Sequence, residues 1–392
     1  MPEVAEVAHI CALLRRNIIG YKINKLILQN DSLLFPILKQ SNDPIKELNQ
    51  LNESIVNSII YSIGRHGKYF WIRLKNINNS TNNEQGILLM HFGMTGMIKI
   101  KNISSHLIFM ENGGDKKVLK SMKNEELGEE DIEVKKDDEW PPRFTKFEMI
   151  LEKEGKQLEL AFTDPRRLGR IRFLTGDSIG NDNDLLKMSP LDVLGPDYSK
   201  SSNNNVKQDK FEFGDPDPDT HGRPRLDIKQ FNKLVLSKKK PIKSLLLDQT
   251  CFAGVGNWVA DEIIFQARLH PEEVLSSKVP YIEDASIDPI VQKLYDSIIY
   301  VCEECVRVEG DVTKFPKHWL MIHRWGKARK SQPKPKTGDG YTVDHITVGG
   351  RTSCYCPEIQ KLLPKLKHEE EEQTSTSSPQ PKTIKRRRIK KE

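Results

Sequence analysis

Two stretches without hydrophobic periodicity, about 102–142 and 199–225, cut this chain into blocks, and each block has its own period. An amphipathic helix comes first: Val4, Val7, Ala8, Cys11, Leu14 and Ile18 share a face, and Gly20 suits its C-cap. Short apolar runs follow at Lys25–Gln29, Ile55–Ile63, Lys68–Leu74, Gly86–Met90, Met97–Lys101, Phe147–Leu151 and Gln157–Phe162. Gly and Asn breaks separate them, as in a sheet or sandwich. Beyond 225 the spacing turns helical, with Ile228, Phe231, Leu234 and Val235, a second helix from Pro241 to Leu247, and a third from Trp258 to Ala267. Ile290, Leu294, Ile298 and Val301 mark a fourth, and short strands flank Gly349-Gly350. The expected organisation is therefore α+β. A helix-plus-sheet domain spans 1–198 with an insertion at about 102–142, then come a linker (199–225), a helical domain (226–315), a hairpin (316–365) and a disordered tail (366–392).

Charge narrows the partner. The net charge is +6, yet between Asp115 and Glu139 ten acidic residues face six basic ones, so the remainder is more basic than the total. Such a balance suits a polyanion. No apolar run approaches the length of a membrane span, and no secretory leader pattern opens the chain. Six cysteines in 392 residues fit a reduced, intracellular setting. Cys302 and Cys305 form a CxxC on a helical pattern, which reads as core more readily than as zinc ligation.

The chemistry concentrates at Met1-Pro2-Glu3. Removal of the initiator leaves Pro2 with a secondary amine that titrates near ~8, much of it a neutral nucleophile at physiological pH. Attack on a sugar C1′ gives a charged iminium, an electron sink, and Glu3 is next to it for proton transfer. Lys68 follows two glycines at a strand start; Met94 sits in the Gly-punctuated loop His91–Gly96, as an apolar wedge or a core filler. Arg166 and Arg167 occupy a Pro/Gly-bounded turn, a cationic projection or a plain surface turn. Gly254-Val255-Gly256-Asn257 opens a helix whose free N–H groups suit a phosphate, with Asn257 as cap or amide donor.

Pro2-Glu3 with Glu6, Gly67-Lys68-Tyr69, His91-Phe92-Gly93-Met94-Thr95-Gly96, Asp164-Pro165-Arg166-Arg167-Leu168-Gly169, Gly254-Val255-Gly256-Asn257 and Gly350-Arg351-Thr352 occur in that order. Together they resemble the formamidopyrimidine-DNA glycosylases of the Fpg/Nei family, over about residues 2–365. The resemblance implies an N-terminal helix and β-sandwich domain, a helix–two-turn–helix domain and a C-terminal finger, with DNA in the cleft between lobes. It implies that Pro2 is the Schiff-base nucleophile, Glu3 its proton-transfer partner and Glu6 a second acid. Lys68, Asn257 and Arg351 match phosphate-gripping residues, with His91 as a further candidate. Met94, Arg166 and Leu168 match the three residues that fill the gap left by an extruded base.

The sequence departs from that pattern in two places. Leu168 stands where an aromatic residue is usual. No CxxC follows Cys305 on the approach to the hairpin, and Ile359 replaces the last of four zinc-ligand cysteines, which leaves Cys356 alone of its pair. The finger therefore looks like the zincless one of plant and fungal members, which favour formamidopyrimidines and hydantoins over 8-oxoguanine. The implied function is base excision with β,δ-elimination on double-stranded DNA holding oxidised bases or abasic sites, by a monomer without metal or cofactor. The rivals are a non-catalytic damaged-DNA binder on this scaffold and a helix-hairpin-helix glycosylase; neither gives the Pro2-Glu3 start a purpose. Lys382 to Glu392 holds seven basic residues and reads as a nuclear-import signal or a DNA tether, with a mitochondrial location left open.

Overall fold

The computed structural model describes residues 2–76, 85–107, 139–176, 179–201, 222–283, 285–324 and 333–364. Most of the insertion, most of the linker and the basic tail lie outside the described residues, as does Met1.

Helix α1 (Val4–Ile18) is buried almost all round because it serves two cores. Val7, Ile10, Cys11, Leu14 and Ile18 pack into the N-terminal core, while Val4, Ala5 and Ala8 belong to the core of the helical lobe. Its first turn, which carries Glu3 and Glu6, is thereby fixed at the junction of the lobes.

The N-terminal strands are β1 (Lys22–Leu28), β2 (Ser58–His66), β3 (Tyr69–Asn76), β4 (Gln85–His91), β5 (Met97–Ile100), β6 (Thr145–Lys153), β7 (Lys156–Thr163) and β8 (Arg170–Thr175). They form one hydrogen-bonded sheet in the order β5-β7-β6-β1-β2-β3-β4-β8. Only Lys22↔Ile59 joins β1 to β2, so the sheet folds there into two four-stranded layers. Phe70, Phe92, Phe162 and Phe147 stack between the layers at centroid spacings of 4.6, 5.7 and 5.4 Å. The outer face of β3 and β4 is covered too, with Trp71, Ile87 and Leu89 beneath Ile179, Leu185 and Leu191. The short-period alternation expected of the strands is therefore not kept in β3 and β4, where Phe70-Trp71-Ile72 and Ile87-Leu88-Leu89-Met90 are buried on both faces.

Helix α2 (Pro44–Ile55) was not expected, and the run that begins at Ile55 becomes a strand only at Ser58. Asp43 caps α2 by accepting from the Ile45 and Lys46 N–H groups, and only Leu51 and Ile55 are buried. So narrow a stripe carries little periodic signal. A short turn of helix, α3 (Asp182–Leu185), leads to the second lobe.

That lobe consists of α4 (Ile228–Leu236), α5 (Ile242–Leu246), α6 (Asn257–Gln266) and α7 (Pro289–Arg307). Cys302 and Cys305 lie in its core, where burial pushes both thiols well above their ordinary range; they are packing residues. A two-stranded hairpin, β9 (Asp344–Val348) and β10 (Arg351–Tyr355), is the last regular element among the described residues. Gly349 and Gly350 both take positive φ, 57° and 76°, as a two-residue hairpin turn of this kind requires. No described helix is long and apolar enough to cross a membrane.

Candidate active site

Pro2 and Glu3 are buried where α1, the β2–β3 turn and the start of α6 converge. Glu3 is the N-cap of α1, and its own N–H donates to Glu6 Oε2 at 2.8 Å. Its carboxylate reaches across to the other lobe. Oε1 accepts from the Trp258 N–H and Oε2 from the Val259 N–H, each at 3.1 Å. The expected phosphate site at the head of α6 is thus taken by the protein's own anion, which the helix dipole favours as it would favour a phosphate.

Glycines make this approach possible. A Cβ built at Gly256 would fall inside the Glu3 carboxyl group. The Gly254 carbonyl accepts from the Val4 N–H at 3.1 Å. A Cβ on Gly67 would lie 2.8 Å from the Gly254 N, so the turn before Lys68 also presses against this loop.

Glu6 is half-buried beside Glu3, and its Oε1 accepts from Trp258 Nε1 at 3.1 Å. Burial, then repulsion from Glu3, raises its pKa to about 7. A carboxyl with a raised folded pKa contributes stability that is full below its ordinary value and lost as pH rises through 7. Urea midpoints should therefore fall between pH 4.5 and 7.5, and Glu6→Gln should flatten that slope; an equal slope in the variant would contradict the assignment.

A cleft of ≈260 Å³ opens beside these acids, lined by Lys68, Tyr69, His91, Ala253, Asn257 and Arg351 among others. Burial lowers the pKa of Lys68, and Glu3 and Glu6 oppose that shift. The His91 ring lies against that of Tyr69, tilted by 45° with centroids 4.7 Å apart, and its Nδ1 accepts from the Gly93 N–H. Burial, with Lys68, Arg170 and Arg172 nearby, lowers its pKa to about 4, so at neutral pH it is an uncharged ring with an Nε2–H to donate. Asn257 is the first residue of α6, not its cap: Gly256 holds that position, and Asn257 Nδ2 donates to the Thr352 carbonyl at 3.1 Å. Arg351 is exposed at the start of β10.

Met94, Arg166 and Leu168 sit on two adjoining loops outside the cleft wall. Buried Asp164 ties the loops together, accepting from Thr95 Oγ1 (2.8 Å), the Arg166 N–H (3.1 Å) and the Gly169 N–H (2.7 Å). Gly93, at φ 63°, lies so close to the Leu168 carbonyl that a side chain would not fit. Arg166 is exposed, Leu168 is 39% exposed and Met94 is half-buried. Arg167 differs: its guanidinium pairs with Asp31 at 2.7 and 3.0 Å, so the expected pair of cationic tips is a single one.

Sequence reasoning missed Asp164, Trp258 and Asp261. Asp164 carried no signal beyond the turn motif, and the partners of Trp258 and Asp261 lie far along the chain. For metal, one trio of ligating type exists among the described residues, His9, His106 and Glu309, with ligand atoms within 4.8 Å of one another. Arg16 takes both oxygens of Glu309 at 2.6 and 2.8 Å, and Ser105 is 2.9 Å from His9 Nε2, so the trio is a hydrogen-bonded clamp between α1 and the segment after α7. Cys354 and Cys356 are buried with Phe265, Leu320 and Val343 in an apolar cluster beneath the hairpin, and Ile359 packs against it.

A helix shared by two lobes, a folded two-layer sheet and an acid pair behind a basic cleft define a class that comparison with known proteins identifies. Residues 1–171 match the family model of the formamidopyrimidine-DNA glycosylase N-terminal domain, and residues 215–317 that of the H2TH domain. Formamidopyrimidine-DNA glycosylase of Arabidopsis thaliana is 30% identical over 365 residues, which cover 93% of this chain and 72% of that protein. The protein of that name from Prochlorococcus marinus is 23% identical, covering 92% of this chain and all of the relative. A MutM bound to DNA containing carbocyclic 8-oxo-G superposes with a TM-score of 0.58 at 19% identity, covering 92% of this chain and 100% of that one. The Lactococcus lactis enzyme on DNA with an AP site gives 0.57 at 19%, covering 92% and 99%. The chain belongs to the formamidopyrimidine-DNA glycosylase family and is a DNA glycosylase of base-excision repair acting on oxidised purines.

Proposed function

We propose that the protein excises ring-opened purines, formamidopyrimidines and hydantoins ahead of 8-oxoguanine, and then cleaves the resulting abasic site as a lyase. The observation that carries this reading is the buried Glu3 carboxylate, fixed by two main-chain N–H groups beside Pro2 at the edge of a basic cleft. An acid fixed beside a secondary amine suits proton transfer at the step where that amine attacks.

In the proposed reaction the Pro2 amine attacks C1′, the bond from C1′ to the base breaks, and its electron pair leaves with the base, which takes a proton. Glu3 is the proton carrier nearest the new bond, and opening of the sugar ring gives an iminium on Pro2. Loss of a C2′ proton expels the 3′ phosphate, a second elimination expels the 5′ phosphate, and water releases the proline. Lys68, Asn257 and Arg351 grip phosphates around the extruded nucleotide, and His91 adds a neutral donor. Met94, Arg166 and Leu168 fill the gap in the duplex, which offsets an extrusion cost of a few kcal/mol. On a formamidopyrimidine duplex the expected products carry phosphate at both new ends; a base-free but uncut strand would rule out the lyase half.

The apolar cluster around Cys354 and Cys356 supports a finger held by packing, and metal analysis should find well under one zinc per chain. The Lys385–Lys391 cluster is proposed as a nuclear-import signal. Deletion of residues 382–392 should move the protein out of the nucleus; a truncated protein that stayed nuclear would contradict this.

A further inference from the structure

Asp261, on α6, is 1% exposed and receives donors from three separate parts of the chain. Lys243 Nζ of α5 and Ser353 Oγ of β10 each donate to its Oδ1 at 2.6 Å, and Arg324 Nη2 donates to Oδ2 at 2.9 Å. Lys243 Nζ also donates to the Asn257 carbonyl at 2.6 Å, and Asn257 Nδ2 holds the Thr352 carbonyl. Ser353 and Lys243 are fully buried, whereas Arg351, two residues before Ser353, is exposed. A two-stranded hairpin is marginal on its own, so the direction in which Arg351 points depends on what fastens β10 to the lobe. The apolar cluster grips the far end of β10, at Cys354 and beyond. The Ser353–Asp261 and Thr352–Asn257 bonds grip the end nearer Arg351.

We propose that Asp261 is a positioning residue that locks the β9–β10 hairpin onto α6, so that Arg351 and Asn257 meet the DNA backbone as one rigid unit. This rests on the phosphate-gripping reading above. Arg351 touches the phosphate; Asp261 acts only through Ser353 and Lys243. The arrangement assigns to a buried carboxylate the task of holding a hairpin against the lobe. Replacing Ser353 removes the hairpin's side of the lock and leaves the Asp261 pairs with Lys243 and Arg324 in place, so the lobe still folds.

The test is a double-mutant cycle on the full chain, with binding to a duplex carrying a tetrahydrofuran abasic analogue read by fluorescence anisotropy. Arg351→Ala should weaken binding about tenfold or more, and Ser353→Ala by about threefold to tenfold. The double variant should bind no more weakly than Arg351→Ala alone, because a loosened hairpin has no guanidinium left to misplace. Amide hydrogen exchange across residues 344–355 should quicken in Ser353→Ala. Losses that add in the double variant, or unchanged exchange in Ser353→Ala, would overturn the Asp261 assignment. An Arg351→Ala protein that bound as the wild type does would instead remove the phosphate reading, and with it the purpose given to Asp261.

Discussion

Glu3→Gln is expected to reduce base excision by about 10²–10⁴-fold, the range for loss of a positioned acid–base group. The structure adds a cost in stability. Both carboxylate oxygens accept main-chain N–H groups of α6, and a glutamine amide matches only one of them. Its NH₂ would face the second N–H as donor against donor, which costs about 1–3 kcal/mol for a buried group left unpaired. The variant should thus show slow single-turnover excision on a formamidopyrimidine duplex together with a lower urea midpoint. Excision at the wild-type rate would show that Glu3 is a structural cap and nothing more.

Gly256→Ala is expected to act on the same carboxylate without changing any ionisable group. Gly256 has φ −121° and ψ −160°, extended backbone open to any residue, so alanine meets no main-chain strain. The methyl would instead occupy the space of the Glu3 carboxyl group, which is tied to the Trp258 and Val259 N–H groups and cannot move without loosening those bonds. Displacement of a reacting group by about 1 Å costs on the order of 10²-fold in rate. Overpacking should cost a further ~1–3 kcal/mol of stability. Excision rate and urea midpoint measured together would check this. Wild-type values for both would mean that Glu3 has room the structure does not show.

The sequence was most informative where local pattern and burial coincide. β3 and β4 were legible because Phe70-Trp71-Ile72 and Ile87-Leu88-Leu89-Met90 are buried on both faces. Turn chemistry likewise announced the Gly349-Gly350 hairpin and the Asp164–Gly169 loop. What could not be read is set by pairing across the chain. The N–H groups at the head of α6 were expected to bind phosphate, but their anion is Glu3, 255 positions away from Trp258. Ser353 and Asp261 are 92 positions apart, and neither residue type is unusual where it stands. Turn chemistry alone gave Arg166 and Arg167 the same reading as a cationic projection, and the pairing of Arg167 with Asp31, 136 positions distant, is what sets the two apart. α2 was lost for the opposite reason, since it hides only Leu51 and Ile55 from solvent.

The central claim is that the nucleophile is the amine of Pro2, and borohydride trapping tests it most directly. The full-length protein, incubated with a formamidopyrimidine duplex and reduced, should yield one covalent protein–DNA adduct. Peptide mapping should place the sugar remnant on Pro2, with the initiator methionine absent. Pro2→Gly should lose most of that adduct, since a secondary amine forms the iminium that borohydride captures. An adduct of undiminished yield in Pro2→Gly, mapped to Lys68 or another internal lysine, would contradict the account.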